Sequence, residues 1–200
     1  MWDTNGSKIK ISLIRHGKTF ANEKKLYYGF SDIELSENGI KELEKLKEKV
    51  NYEKGQLFIT SGLKRTIQTL NILFGNVDYM VNEHFKEMNF GDFELKSYEQ
   101  LKENKDYLKW IENIEENVVP NGETKKQFEN RVINGFNSLF QNCIKNNIKD
   151  IVIVCHSGVI SIIMMYLFNE ENKNFYDWLP SYARGYTIIF KNKYKTYYKI

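Results

Sequence analysis

Cysteine is scarce in this sequence: Cys143 and Cys155 are the two thiols in 200 residues. They have neither metal-ligand spacing nor a disulfide framework. Cys155 lies in an apolar stretch, where a reduced, buried thiol is expected. Long apolar runs are also missing. The longest, Val159–Leu167, is well short of the roughly 20 residues a membrane-spanning helix needs. The first ten residues, MWDTNGSKIK, lack the apolar segment of a secretory signal. These features predict a cytoplasmic protein that does not engage a membrane. Neither sign of charge dominates, since 29 basic against 26 acidic side chains leave a net charge of +3. Without a basic stripe the chain is not expected to bind nucleic acid, although a mild positive excess helps to attract a small anion.

What is present is ordinary globular composition, 42% hydrophobic and 28% charged. A chain of this length removes roughly 70% of its extended surface from water, enough for a real core. The expectation is one domain over residues 1–200, with a helical cap or insertion around 92–119. Ile9–Arg15 reads as a buried strand, Leu57–Thr60 as a second, Val77–Val81 as a third and Ile151–Cys155 as a fourth. A helix capped by Ser36 runs through Ile40, Leu43, Leu46 and Val50. Another runs through Leu63, Ile67, Leu70 and Leu73. Thr124 and Gln127 fit a capping box, followed by an apolar stripe of Phe128, Val132, Phe136, Leu139, Phe140 and Cys143 or Ile144. Val159–Leu167 is a buried helix, and Tyr186–Lys191 with Lys195–Lys199 form a hairpin around Asn192-Lys193. The irregular, polar Asp92–Val119 stretch reads as a solvated cap, helical around Tyr98–Ile114. Alternating strands and helices predict an α/β fold, a three-layer α/β/α sandwich with a mainly parallel sheet. Ligands of such folds bind beyond the carboxyl ends of the strands.

Four blocks fall at that end. Arg15-His16-Gly17-Lys18-Thr19-x-x-Asn22 follows the first strand and combines an imidazole, a guanidinium, hydroxyl and amide donors and a glycine turn, the components of a phosphate site. Ser61-Gly62-Leu63-Lys64-Arg65-Thr66-Ile67-Gln68-Thr69 follows the second, with Arg65 in the first turn of a helix whose N-terminus favours an anion. Lys86-Glu87-Met88-Asn89-Phe90-Gly91-Asp92-Phe93-Glu94 brings a carboxylate before a compact aromatic turn. Val154-Cys155-His156-Ser157-Gly158 repeats the strand–histidine–glycine construction of His16. Outside these blocks, His84 reads as a surface histidine near the site rim. Trp110, Tyr182 and Tyr186 read as packing aromatics, with stacking on a ligand base as the other possibility, and Ser61 and Ser157 as suppliers of hydrogen bonds.

In this order and spacing the four blocks resemble the histidine phosphatase superfamily, also called phosphoglycerate-mutase-like, over about Ile9–Ile189. The resemblance implies that His16 is phosphorylated during turnover and that Arg15, Arg65 and His156 bind the transferring phosphoryl group. It makes Glu87 the acid/base carboxylate, and Asn22 a contact to phosphate or substrate. Gly17, Thr19 and Ser157 are further candidates for holding phosphate. No metal and no cofactor are implied, and the partner is a small-molecule phosphate ester. The oligomeric state is left open. Lys18 departs from the family pattern, which usually has a glutamate there. Leu26-Tyr27-x-Gly29, Glu87-Met88-x-Phe90-Gly91-Asp92-Phe93-Glu94, Pro120-Asn121-Gly122-Glu123 and His156-x-Gly158-Val159 are most similar to the alpha-ribazole phosphatases, which act on alpha-ribazole 5′-phosphate in cobalamin biosynthesis. The alternatives left open are a broad-specificity sugar or nucleotide phosphatase, a phosphoglycerate mutase, and a non-catalytic phosphate-binding module.

Overall fold

The computed structural model describes residues 2–4 and 6–200. Its strands are β1 (Lys8–Arg15), β2 (Leu57–Thr60), β3 (Met80–Val81), β4 (Asp150–Cys155), β5 (Gly185–Lys191) and β6 (Tyr194–Lys199). They form one sheet in the order β3-β2-β4-β1-β5-β6. The β3-β2-β4-β1 portion is parallel, and β5 and β6 add antiparallel to β1. The helices are α1 (Phe20–Glu23), α2 (Glu37–Lys49), α3 (Lys64–Phe74), α4 (Tyr98–Leu101), α5 (Lys105–Glu112), α6 (Lys125–Lys145) and α7 (Ser157–Leu167).

Strand alternation sorts the core into two layers, one per sheet face. Ile9, Ile11 and Leu13 of β1 and Ile151, Ile153 and Cys155 of β4 pack on Val132, Phe136 and Phe140 of α6 and on Val159 and Ile163 of α7. The opposite face presents Ile14, Val152 and Val154 to Leu43 of α2 and to Leu70 and Leu73 of α3. Covering both faces is what allows β4 to be almost wholly apolar.

Local signals account for the helix starts. The Ser36 hydroxyl accepts from the Gly39 N–H at 3.1 Å. Thr124 and Gln127 complete a capping box. The α6 stripe ends on Cys143, which is buried, whereas Ile144 is only partly so. Two expectations are corrected. The third strand is confined to Met80–Val81, because β2 pairs with it only through Ile59 and Thr60 at the sheet edge. The 92–119 stretch is not simply solvated. Its helix divides into α4 and α5, N-capped by Ser97 and Asn104. Phe93, Leu101, Tyr107, Trp110 and Val119 are buried in the same core as α6 and α7. On α5, Tyr107 and Trp110 lie three residues apart on the inner face, while Lys105, Asp106 and Lys109 are exposed.

Phe140 packs against the rings of both Trp2 and Phe190, with centroids 4.9 and 4.6 Å away. Phe140→Ala is expected to lower unfolding free energy by about 3–5 kcal/mol, as measured by denaturant titration.

Candidate active site

The sheet brings the two block histidines together. Arg15 pairs with Cys155 in the parallel β1–β4 ladder, so the next residue of each strand, His16 and His156, leaves the sheet at the same level. The His16 N–H donates to the Cys155 carbonyl at 3.0 Å. Both side chains are buried, and their rings lie 5.1 Å apart between centroids, inclined at 63°. His16 Nδ1 is 2.7 Å from the Gly17 carbonyl. A carbonyl only accepts, so Nδ1 carries the proton and Nε2 keeps its lone pair.

Arg65 enters from the first turn of α3 and is fully buried. It donates to the Ser31 carbonyl at 2.7 Å and to the Gly29 carbonyl at 2.6 Å. The loop carrying those carbonyls is itself gathered on one carboxylate. Glu94 accepts from the N–H groups of Gly29 (2.8 Å), Phe30 (3.0 Å), Ser31 (3.0 Å) and Phe90 (3.0 Å), and from the Ser31 hydroxyl (2.5 Å). Gly29 must be glycine, because a Cβ there would lie 1.6 Å from the Met88 carbonyl oxygen. Arg15 donates to the Pro180 carbonyl at 2.8 Å and stacks on the Tyr182 ring at 4.0 Å. Each guanidinium thus spends only part of its set of five donors on the protein. Arg15 Nε, Arg65 Nε and His156 Nδ1 are buried and have no hydrogen-bond partner among the described residues.

Glu87 faces this cluster from the loop after β3. Its carboxylate accepts from the N–H of Gly158, in the first turn of α7, at 2.9 Å and from its neighbour Met88 at 3.1 Å. Burial raises its pKa above the ordinary carboxyl value, against the two N–H donors, Arg15 and Arg65. Burial, then Arg65, then Arg15 hold His16 well below the ordinary imidazole range. His156 is lowered likewise, by burial first and then by Arg65. Two neutral imidazoles, two cations and a carboxyl biased toward its protonated form therefore surround one space.

That space is the inner end of a cavity of about 550 Å³. Arg15, His16, Asn22, Arg65, Glu87, His156 and Ser157 all line it, as the sequence predicts for a shared site. Gly17 and Thr19 do not, because the fold uses their polar groups. The Gly17 N–H donates to Thr69 Oγ1 at 2.9 Å. Thr19 is fully buried and caps α1. Lys18 turns away to pair with Glu42 of α2 at 2.9 Å. The exposed His84 and the buried Tyr186 lie outside the cavity lining, whereas Trp110 both packs in the core and lines the wall. Tyr28, to which sequence reasoning assigned no role, lines the cavity. Its ring lies 4.8 Å from the Arg65 guanidinium carbon and its hydroxyl donates to Asn22 Oδ1 at 2.8 Å. Thr19 supplies two more donors to that oxygen, both at 3.0 Å. The amide of Asn22 is thereby oriented, with its oxygen fully engaged and its NH₂ on the other side.

An arrangement of this kind can accept a tetrahedral anion on guanidinium and imidazole donors and attack its central atom from His16 Nε2. The comparison with known proteins agrees. The family model "Histidine phosphatase superfamily (branch 1)" matches residues 11–199, and the chain belongs to that superfamily. Among individual relatives, the chain is 29% identical over 164 residues to the adenosylcobalamin/alpha-ribazole phosphatase of Salmonella typhimurium, covering 78% of each chain. It is also 29% identical over 167 residues to the 2,3-bisphosphoglycerate-dependent phosphoglycerate mutase of Cytophaga hutchinsonii, covering 78% of this chain and 76% of that one. The alpha-ribazole phosphatase structure from Shigella flexneri shares the fold, with a TM-score of 0.84 at 24% identity over 94% of each chain.

Gly158 is the position where a small change should act on chemistry. An added Cβ would lie 2.3 Å from Glu87 Oε1, so Gly158→Ala must push that carboxylate aside. Steady-state kinetics on an aryl phosphate should then show a fall in kcat of about 10²–10⁴, the contribution of a positioned general acid–base. Affinity for inorganic phosphate should change much less.

Proposed function

We propose that the chain is a metal-independent phosphomonoesterase that works through phosphohistidine at His16. The observation that carries this reading is the pair of buried imidazoles 5.1 Å apart, bordered by the partly uncommitted guanidiniums of Arg15 and Arg65. In the first half of the cycle, His16 Nε2 attacks phosphorus in line with the leaving oxygen. Arg15, Arg65, His156 and the Asn22 amide hold the equatorial oxygens, where charge accumulates. Glu87 gives its proton to the departing oxygen. In the second half the Glu87 carboxylate takes a proton from water, the water oxygen attacks phosphorus, the N–P bond breaks, and His16 is restored. Unaided hydrolysis is so slow that accelerations approaching ~10²¹ are required. Fixed cationic donors in a water-poor site are the chief means of supplying them.

The outer part of the cavity supports a substrate class. Leu26, Met88, Phe90, Trp110, Ile114 and Phe128 help to form its wall, and the exposed Tyr176 stands at its rim. Away from the inner end the charged lining residues are Glu115 and Lys125, which form an ion pair with each other. A carboxylated ester such as 3-phosphoglycerate would find no uncommitted cation there. A flat, apolar leaving group fits the wall, which favours alpha-ribazole 5′-phosphate and a place in cobalamin biosynthesis over a sugar phosphatase or a mutase. In this reading residues 1–200 form one catalytic domain, with 92–119 as the cap over the apolar half. It acts in the cytoplasm, where Cys143 and Cys155, both free and buried, stay reduced.

The test compares turnover of alpha-ribazole 5′-phosphate, 3-phosphoglycerate, common sugar phosphates and an aryl phosphate by wild type and His16→Ala. Every wild-type activity should disappear in the variant, and kcat/KM should be highest for the ribazole ester. Activity that persists in His16→Ala would overturn the mechanism. Equal preference among the natural esters would overturn only the substrate.

A further inference from the structure

A chain of two hydroxyls, those of Ser61 and Thr66, runs from the ring of His156 to the Leu63 carbonyl. Thr66 Oγ1 donates its one proton to the Leu63 carbonyl at 2.7 Å. Toward Ser61 Oγ, 3.1 Å away, Thr66 can therefore only accept, and Ser61 donates. With its proton committed, the Ser61 oxygen must accept from His156 Nε2, 2.9 Å away. Nε2 carries hydrogen, so in the neutral ring Nδ1 is bare. That Nδ1 is buried, has no partner among the described residues, and belongs to a residue lining the cavity.

The groups around this ring come from several elements. Arg15 and His16 approach from the end of β1, Arg65 from α3 and Arg131 from α6. Glu87 is held against Gly158, in the first turn of α7. Burial and these cations favour the neutral ring, which leaves the Nδ1 lone pair without a proton. A phosphate ester brings only acceptor oxygens, so lone pair would face lone pair unless a proton is added.

We propose that Ser61 and Thr66 are positioning residues that hold His156 as the Nε2–H tautomer, so that a phosphoryl dianion binds together with one proton taken up at Nδ1. The inference rests on the phosphate-site reading above. The proton comes from solvent and the only new covalent bond is N–H. His156 passes from neutral to singly positive and offsets one of the two charges of the dianion. The Nδ1–H then donates to a phosphoryl oxygen, and Nε2–H stays on Ser61. Burial and the neighbouring cations favour the neutral ring in the free protein, so that it does not add a third cation beside Arg15 and Arg65.

The experiment is ¹⁵N NMR of histidine-labelled wild-type protein with and without inorganic phosphate, using His84→Gln to assign the exposed ring. Free protein should show His156 protonated on Nε2 and bare on Nδ1. Saturating phosphate should place a proton on both nitrogens. A free-state proton on Nδ1, or a ring that stays neutral with phosphate bound at His16, would contradict the inference and leave the phosphate site standing. No response of either ring would overturn both. In parallel, Ser61→Ala should lose the tautomer preference and weaken phosphate binding about tenfold, the worth of one hydrogen bond to a charged partner. Ser61→Thr, which keeps the hydroxyl, should restore both. An alanine variant with wild-type tautomer and affinity would remove Ser61 from the role.

Discussion

The parallel pairing of β1 with β4 is the constraint on which the rest depends. Arg15 stands opposite Cys155, and a one-residue slip would send one of the two following histidines to the other face of the sheet. The pairing is held from both sides, by Ile11, Leu13, Ile151 and Ile153 against α6 and α7, and by Ile14, Val152 and Val154 against α2 and α3. The positions of the two rings are thus a consequence of core packing, and the chemistry inherits the rigidity of the sheet's centre.

Around that fixed pair, the remaining groups are placed by hydrogen bonds that consume some donors and spare others. Arg65 is pinned by two loop carbonyls, the loop is pinned by the Glu94 carboxylate, and the guanidinium retains an unpartnered Nε. A buried cation without such acceptors would be costly. With them, it is paired enough to be tolerated and free enough to bind. Its charge in turn helps to keep His16 neutral, which a nucleophile requires. Glu87 is moved the other way by burial. One environment therefore biases the imidazole toward its neutral form and the carboxyl toward its protonated form, the separation expected of the acid/base pair proposed above.

Much of this was legible in the sequence because it depends on local pattern. Apolar runs ending in Arg15-His16 and Cys155-His156 located both strand ends, and Ser36 and Thr124 marked helix starts through capping chemistry. What stayed hidden depends on which donors the fold consumes. Gly17 and Thr19 count as phosphate donors in a motif, but Thr69 and Asn22 use their polar groups. Tyr28 and Glu94 sat within quoted motifs without a role, since only the loop path brings them beside Asn22 and Arg65. The 92–119 stretch reads as polar because its buried aromatics, Phe93, Tyr107 and Trp110, are spaced among charges. Whether such a stretch packs or stays solvated is decided by the core it meets.

The central claim is that one imidazole, at residue 16, carries the phosphoryl group covalently between two half-reactions. The most direct measurement mixes enzyme with substrate for milliseconds, quenches in alkali, where phosphohistidine survives, and maps the labelled peptide by mass spectrometry. The account predicts one phosphoryl group on the peptide containing His16, lost on a longer delay before the quench as substrate runs out. A phosphoryl group on any other residue, or turnover with no labelled protein under conditions that trap phosphohistidine in a control enzyme, would contradict it.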